Sequence, residues 1–564
     1  MSDPFLGTRG PRNASILIVG EAWTSTDNYK KTSFVSTGAS DFVRILITAG
    51  IKKEDCLFTN VVNAMPPSGK ITNWFNITTE SKAITPHKGL YPQQPILDGL
   101  AALDELINIV QPKLIIAMGN YALWALTEND FNIGNQLRRK VPTGIGSYRG
   151  SQIHSTHGIP LLPVFPPAAA LKNFPWMFQL KHDLITRLKR FKDNQWEDFE
   201  RNFIIRPSMQ QAVSTLNMLL NVLDTKPTPI AVDIETRAYH TACIGFAWSI
   251  TDAICIPLMC VERDEGYWTA EEEIILTRLM RRLLSHPNLI LRGQNFLYDA
   301  QYIWRFWFVK PYIAHDTMIM QHLCYPGTEL NLGNLSSLYC HYHRYWKDDG
   351  KEWKKDMDED KLWIYNCRDC VVTFEAAIGI KEVIEHQDMG EQFGYQIEQL
   401  NYILDMMIIG VLIDEEAKWV ASHELELVRE QYAAELERLL PEDVWPRDPK
   451  KSTWYTSTHQ QTIIFTRVFG MKPYWNQQKR GYTMDDSALT HYGKAEPLLA
   501  LLCDTLQKFR SLKTYATFTD MPLDEDKRMR SSFTPTASTF RWKSSANAFG
   551  SGGNLQNLPK GQEE

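Results

Sequence analysis

The order of apolar and polar positions divides the chain into three blocks. From about residue 14 to 185, short apolar runs at Ser15 to Val19, Leu57 to Val62, Leu114 to Met118 and Leu161 to Phe165 alternate with helical stretches such as Ile96 to Val110. That alternation predicts an α/β layer. The charge-rich run RLKRFKDNQWEDFERN has no clean period, which predicts a linker or boundary helix over residues 187–202. The second block strings together PIAVDIE, TACIGFAWSI and DAICIPLM, then an amphipathic helix over Glu271 to Leu284 and a strand over Leu289 to Gly293, with helical segments to about residue 388. The third opens on a long helical pattern through Met406, turns at IIGVLID, continues in helices rich in Leu, Glu and Arg, and passes into a tail rich in Gly, Ser and Asn. The expected limits are 1–186, a linker at 187–202, 203–388 and 389–564. The expected fold class is multidomain α/β with a mainly α final block, and no fixed-period repeat is evident.

Composition narrows the class without choosing a function. A chain of 564 residues holds roughly three or four domains at about 150 residues each. An apolar share of 44% and a charged share of 22% are those of an ordinary globular protein, which excludes disordered, collagen-like and disulfide-scaffold classes. No apolar run reaches bilayer length and MSDPFLGTRG lacks the pattern of a signal peptide, so no membrane partner and a cytoplasmic location are expected. The nine scattered cysteines fit free thiols in a reducing compartment. With a net charge of -6, a nucleic-acid partner has to be held by local basic patches or by metal ions on carboxylates.

Four carboxylates carry the strongest chemistry. Asp233 and Glu235 lie two apart on an apolar strand, and the period of two points both to one face, where they can share a metal. Asn295 and Asp299 lie four apart after the strand ending at Gly293, and Tyr365 and Asp369 lie four apart within WIYNCRDCVVTFE; each pair is expected to share a helix face. Four converging acids repel one another unless divalent cations neutralise them. Two such ions about 4 Å apart can activate a water and stabilise the leaving oxygen of a phosphodiester, with Tyr365 placed to orient the water. A single Asp is more often a solvated acid or a helix cap, but a buried strand has little reason to carry two same-face acids without a counter-charge. Asp316, followed by Thr at the start of a helical run, reads as an N-cap and is left out of the site. Cys367 and Cys370 form a CxxC with no second pair at zinc-site spacing, and read as incidental thiols.

VDIET, GQNFLYD and YNCRD resemble, in order and spacing, the three motifs of the proofreading 3'-5' exonuclease domain of family A, DNA polymerase I-like enzymes. The resemblance covers roughly residues 203 to 388. It implies a ribonuclease H-like fold, two Mg or Mn ions on Asp233, Glu235, Asp299 and Asp369, Tyr365 as a further catalytic residue, Asn295 as a nucleic-acid contact, and release of mononucleotides from a 3' end. RNase D-like exoribonucleases share the same acids, so these motifs leave DNA and RNA both open.

The third block resembles the thumb region of the same polymerases in MMIIGVLID, STHQQTIIFTRVFGMKP and LLALLCDTLQKFRSLKTYATF. Its tail is similar to their Thr-x-Arg-x-x-Ser-Ser segment followed by Asn-Leu-Gln-Asn-x-Pro, which grips the primer-template duplex. The resemblance gives that role to Arg541, Ser544, Ser545, Asn554, Gln556 and Asn557, with Phe540 and Trp542 in place of the usual Gly and small aliphatic residue. From Lys527 to Lys543 there are five basic residues and no acid, as suits a stretch facing phosphates. The acidic palm motifs and the nucleotide-binding helix of the family do not follow. The expectation is therefore a polymerase whose palm and fingers lie on another polypeptide, in another exon or in a deleted region.

In the first block ILIVGEAW, TSFVSTGASDFVRILITAGI, LFTNVVNAMPP and KLIIAMGNYALWAL resemble the uracil-DNA glycosylase superfamily, especially its iron-sulfur branch, over about residues 14 to 185. The resemblance implies an α/β sandwich with a base pocket at Glu21, Phe34 and Asn60, where an extruded base gains stacking and edge hydrogen bonds. Two departures follow. Cys56 is the single cysteine of the block, so no iron-sulfur cluster is expected. Phe165-Pro166-Pro167 stands where the family has His-Pro, removing the imidazole expected to stabilise the leaving oxygen; His154 and His157 nearby read as surface residues. Gly20 and Gly119 can also be read as turns of a plain α/β layer.

The combined expectation is a multidomain DNA-replication protein similar to some bacteriophage polymerases, working in the host cytoplasm in that case, with a single-stranded 3' end and a primer-template duplex as its DNA partners. Its rivals are a uracil glycosylase fused to a nuclease for base repair, and a non-catalytic subunit that clamps primer-template.

Overall fold

The computed structural model describes residues 3–77, 90–127, 130–133, 136–139, 144–263, 265–347, 358–440, 453–537 and 539–557. The chain forms two compact units, residues 1–401 and 402–564.

The apolar runs of the first block become a five-stranded sheet. Its strands are β1 (Ile16–Ala22), β2 (Cys56–Val62), β3 (Leu114–Met118), β4 (Ile153–His154) and β5 (Pro160–Val164), in the order β2-β1-β3-β5-β4. All pair in parallel except β4, which runs antiparallel to β5. β2 and β3 are buried along their whole length, as continuous apolar strands in a covered parallel sheet must be. Helices α1 (Thr37–Thr48), α2 (Gln94–Val110), α3 (Asn120–Leu126) and α4 (Phe174–Lys192) contribute their apolar faces to the same core.

The expected linker begins too early. Residues 187–192 continue α4, and Leu188 and the Arg187 side chain are fully buried, so the irregular connection is confined to residues 193–201. The lysines and arginines that disguised the period lie on the outer face of this last turn, apart from Arg187, whose guanidinium has partners described below.

The second block is a six-stranded mixed sheet of β6 (Asn202–Ile204), β7 (Thr228–Arg237), β8 (His240–Ala247), β9 (Asp252–Pro257), β10 (Leu289–Gly293) and β11 (Ile313–Asp316), in the order β6-β9-β8-β7-β10-β11. β7, β8 and β9 form an antiparallel meander, and β10 and β11 add in parallel. Around it run α5 (Met209–Thr225), α6 (Ala270–Leu284), α7 (Leu297–Trp307), α8 (Thr317–Cys324), α9 (Leu332–Tyr339) and α10 (Asp360–His386). The starts of α5 and α6 follow from capping boxes at Ser208 with Gln211 and Thr269 with Glu272. The central helix α10 buries Trp363, Cys367, Cys370, Val371 and Phe374 against β7, β8 and β9.

The second unit begins within α11 (Gly390–Ile409) and is mainly helical, with α12 (Glu415–Leu439), α13 (Asp486–Ala495) and α14 (Ala500–Thr519) around Leu436, Trp454, Phe465, Tyr492 and Leu506. Its tail is a hairpin of β12 (Ser531–Thr534) and β13 (Lys543–Ala546). No described helix is long and apolar enough to cross a membrane.

Candidate nuclease site and base pocket

The strand β7 delivers two of the acids. Asp233 and Glu235 share a face, as their spacing requires, and the register with β8 shifts between Glu235 and Thr236. The third comes from α10, where Tyr365 and Asp369 stand one turn apart. One carboxylate oxygen each from Asp233, Glu235 and Asp369 lie within 4.8 Å of one another. Helix and strand approach this closely because residue 245, opposite Asp233, is glycine: a Cβ there would lie 2.3 Å from Asn366 Oδ1 and 2.6 Å from Cys370 Sγ. Asn366 uses the space to donate through Nδ2 to the Asp233 carbonyl at 3.1 Å and carboxylate at 3.0 Å.

Asp299, on α7, is buried with its Oδ1 accepting from the Ile234 backbone N–H at 2.9 Å, so it packs against β7 but is not one of the three acids whose oxygens come together. Asn295 does not share a helix face with it. Asn295 has φ +55° and α7 begins only at Leu297, because Asn295 and Phe296 direct their N–H groups to the buried Asp316 carboxylate at 3.2 and 2.8 Å. Asp316 also accepts from Met318 and Ile319 N–H at 3.0 and 3.3 Å, the cap expected of it.

Burial and mutual repulsion dominate the electrostatics. Desolvation, then the Asp369 charge, pushes the Asp233 carboxyl up; desolvation and Asp233 do the same to Glu235 and Asp299. Among the described residues, one cation enters the group. Lys347 Nζ donates to the Asp369 carboxylate and, at 3.0 Å, to Tyr365 Oη. Burial alone would lower this ammonium, but Asp369 and Tyr365 hold it well above its ordinary value. Trp346 Nε1 donates to the other Asp369 oxygen at 2.6 Å. Neither Trp346 nor Lys347 was legible as a site residue, since both stand in an irregular segment with no periodicity to place them.

The donor set fits a hard divalent cation. It consists of carboxylate oxygens, while the neighbouring thiols of Cys243, Cys367 and Cys370 pack in the core; burial pushes those of Cys367 and Cys370 well above the ordinary range. Cys367 and Cys370 are therefore the incidental thiols that the sequence suggested.

A second concave site opens at the end of β1. Glu21, Phe34 and Asn60 come together there with Pro166 and Pro167 around a cavity of about 170 Å³. Gly20 and Gly119 make room for it: a Cβ on the first would lie 2.4 Å from Asn60 Oδ1, and one on the second 2.4 Å from Glu21 Oε1. Asn60 Nδ2 is held by Ser33 Oγ at 3.0 Å, and Glu21 Oε1 accepts from the Tyr121 N–H at 3.2 Å. Burial raises the Glu21 carboxyl above its usual range. His154 and His157 are not among the cavity residues and pair with Glu197 at 3.0 Å and Asp104 at 3.9 Å.

In the tail, Ser544 Oγ bonds Asn554 Oδ1 at 2.5 Å and receives the Gln556 N–H at 3.2 Å, so these three brace one another. Arg541 and Ser545 are exposed, and Asn557 ends a short 3-10 turn. The basic run is less free than its charge suggested. Lys527 pairs with Glu415 at 2.7 Å, Arg530 pairs with Asp524 and Asp526, both at 2.6 Å, and Arg528 lies 3.9 Å from Asp526.

An α/β domain with a concave cavity at the end of β1 is thus followed by a mixed-sheet domain with a cluster of three carboxylates. Residues 8–197 match the uracil DNA glycosylase superfamily and residues 195–385 match the 3'-5' exonuclease family. The chain carries a domain of the first followed by a domain of the second. Among solved structures, one described as the POL domain of Pol1 from M. smegmatis in complex with DNA primer-template and dNTP is similar at 16% identity and a TM-score of 0.46. That likeness covers 64% of this chain and 57% of the other, little more than half of its length.

Proposed function

We propose that the chain is the proofreading portion of a DNA polymerase I-like replication enzyme, removing nucleotides from the 3' end of DNA in the cytoplasm, or in the host's cytoplasm for a phage source. The observation that carries this reading is the convergence of Asp233, Glu235 and Asp369 beside Tyr365. Asp233, Glu235 and Asp369, with Asp299 behind them, would hold two Mg or Mn ions. Bound there, such ions lower the pKa of a water and stabilise the leaving oxygen. Tyr365 Oη would orient that water, Trp346 and Asn366 hold Asp369 and Asp233 in place, and the exposed Asn295, in the turn before α7, would contact the nucleic acid. Arg541, Ser544, Ser545, Asn554, Gln556 and Asn557 would contact the primer-template duplex. The test is a primer with a matched or mispaired 3' nucleotide in Mg: wild type should remove the mispaired nucleotide faster, and equal rates would overturn the proofreading assignment.

A second reading concerns the first domain alone. The gathering of Glu21, Phe34 and Asn60 around one cavity supports recognition of an extruded base, and Phe165-Pro166-Pro167 in place of the usual His-Pro argues for binding without excision. The 564-residue chain should bind a uracil-containing oligonucleotide more tightly than its thymine counterpart, and Asn60→Ala should erase the difference. Release of free uracil would instead make this domain a working glycosylase.

A further inference from the structure

The segment that brings Trp346 and Lys347 to the exonuclease carboxylates is built on the first domain. Its start is gripped by α4: the fully buried Arg187 donates to the carbonyls of Ser337, Cys340 and His341 at 2.6, 3.2 and 3.1 Å. Its middle lies along the loop before β4, where Gln152 N–H donates to the His343 carbonyl at 2.7 Å. Its end is fixed one residue before Trp346, with the Tyr345 N–H on Ser151 Oγ at 3.2 Å and the Tyr345 ring 4.9 Å from that of Tyr148. Beneath this strap the buried Arg149–Asp183 pair, at 2.6 Å, extends to Asn334 and Ser337 on α9 at 2.9 and 2.7 Å. The next side chains along the strap reach the other way, to Asp369 and Tyr365.

We propose that residues 340–347 are a strap through which the glycosylase-superfamily domain sets the geometry of the exonuclease site, with Lys347 as its positioning residue. This rests on the reading of the carboxylate cluster as a metal-dependent nuclease. The ammonium neutralises part of a cluster of like charges and fixes the direction of Tyr365 Oη. A divalent cation held by Asp369 would compete with Lys347 for the same carboxylate, while the ammonium would keep its hydrogen bond to Tyr365 Oη. The two domains are thereby one functional piece: the first fixes where the second places its tyrosine.

The test uses the full chain and two readouts, Mn binding followed by the electron paramagnetic resonance of the free ion, and cleavage of a 5'-labelled single-stranded DNA. Lys347→Met should tighten Mn binding by about tenfold, since a positive charge beside the site is gone. The same variant should lower kcat by about tenfold with little change in KM, because Tyr365 has lost its anchor. Lys347→Arg should restore part of the rate. Opposite signs in the two readouts separate positioning from a structural role, which would weaken both together. The double variant Tyr148→Leu, Ser151→Ala frees the strap and should slow cleavage by about threefold in wild type but not in the Lys347→Met background.

The proposal is overturned if Lys347→Met weakens Mn binding, if it leaves kcat unchanged, or if freeing the strap costs as much without Lys347 as with it. Asp233→Ala is the separate control: if it retains Mn binding and cleavage, the nuclease reading fails, whatever Lys347 does.

Discussion

At the scale of single residues, the site depends on a close approach that one hydrogen atom makes possible. Gly245 lies opposite Asp233, and anything larger meets Asn366 and Cys370 on the helix that carries Tyr365 and Asp369. Gly245→Ala should therefore move α10 away from β7, costing about 1–3 kcal/mol of stability by overpacking and lowering cleavage disproportionately. Thermal unfolding and 3'-end digestion measured on the same preparation check this; unchanged activity at reduced stability would show that the separation of α10 and β7 does not set the rate. Sequence made Asp233 and Glu235 legible because a period of two is a strong geometric statement, and Tyr365 with Asp369 because one helical turn is another. Asn295 was misplaced by the same logic, since a left-handed turn interrupts the helix that the four-residue spacing assumed. Lys347 and Trp346 carried no such spacing, and their role depends on where a distant domain holds them.

At the scale of elements, the seam between the first domain and α9 contains histidines kept neutral by burial. His343 is fully enclosed beside Ser336 and His182 lies nearby; burial first, then the arginines, lowers His343 well below its ordinary value, and burial takes His182 down to about 4. The unfolded chain protonates these rings near pH 6.5 while the folded chain does not, so below that value the unfolded state binds more protons. Stability should therefore fall as the pH drops through the unfolded value toward the lowered folded ones. His343→Gln should flatten that fall, measured as melting temperature against pH between about 7 and 4.5; an unchanged slope would remove His343 from the account of the seam. The strands of both sheets were largely readable from apolar runs, whereas Ile153–His154, Asn202–Ile204 and Ile313–Asp316 were not, being short and carrying polar residues. The continuation of α4 through residue 192 was hidden because charged residues on its outer face mask a period that Leu184, Arg187 and Leu188 keep.

At the scale of the whole molecule, a net charge of -6 leaves a nucleic-acid substrate to be held by local basic residues or by cations on the carboxylate cluster. The basic run of the second unit is partly spent on its own acids, which places the weight of any duplex contact there on exposed Arg541 and Lys543. The most direct measurement is digestion of a 5'-labelled single-stranded DNA and a matching RNA by wild type and by the Asp233→Ala, Glu235→Ala double variant, with and without Mg or Mn. The expected result is a ladder shortening from the 3' end of the DNA that needs the metal and disappears in the variant. DNA left intact by wild type under both metals would overturn the assignment of this cluster as an exonuclease site.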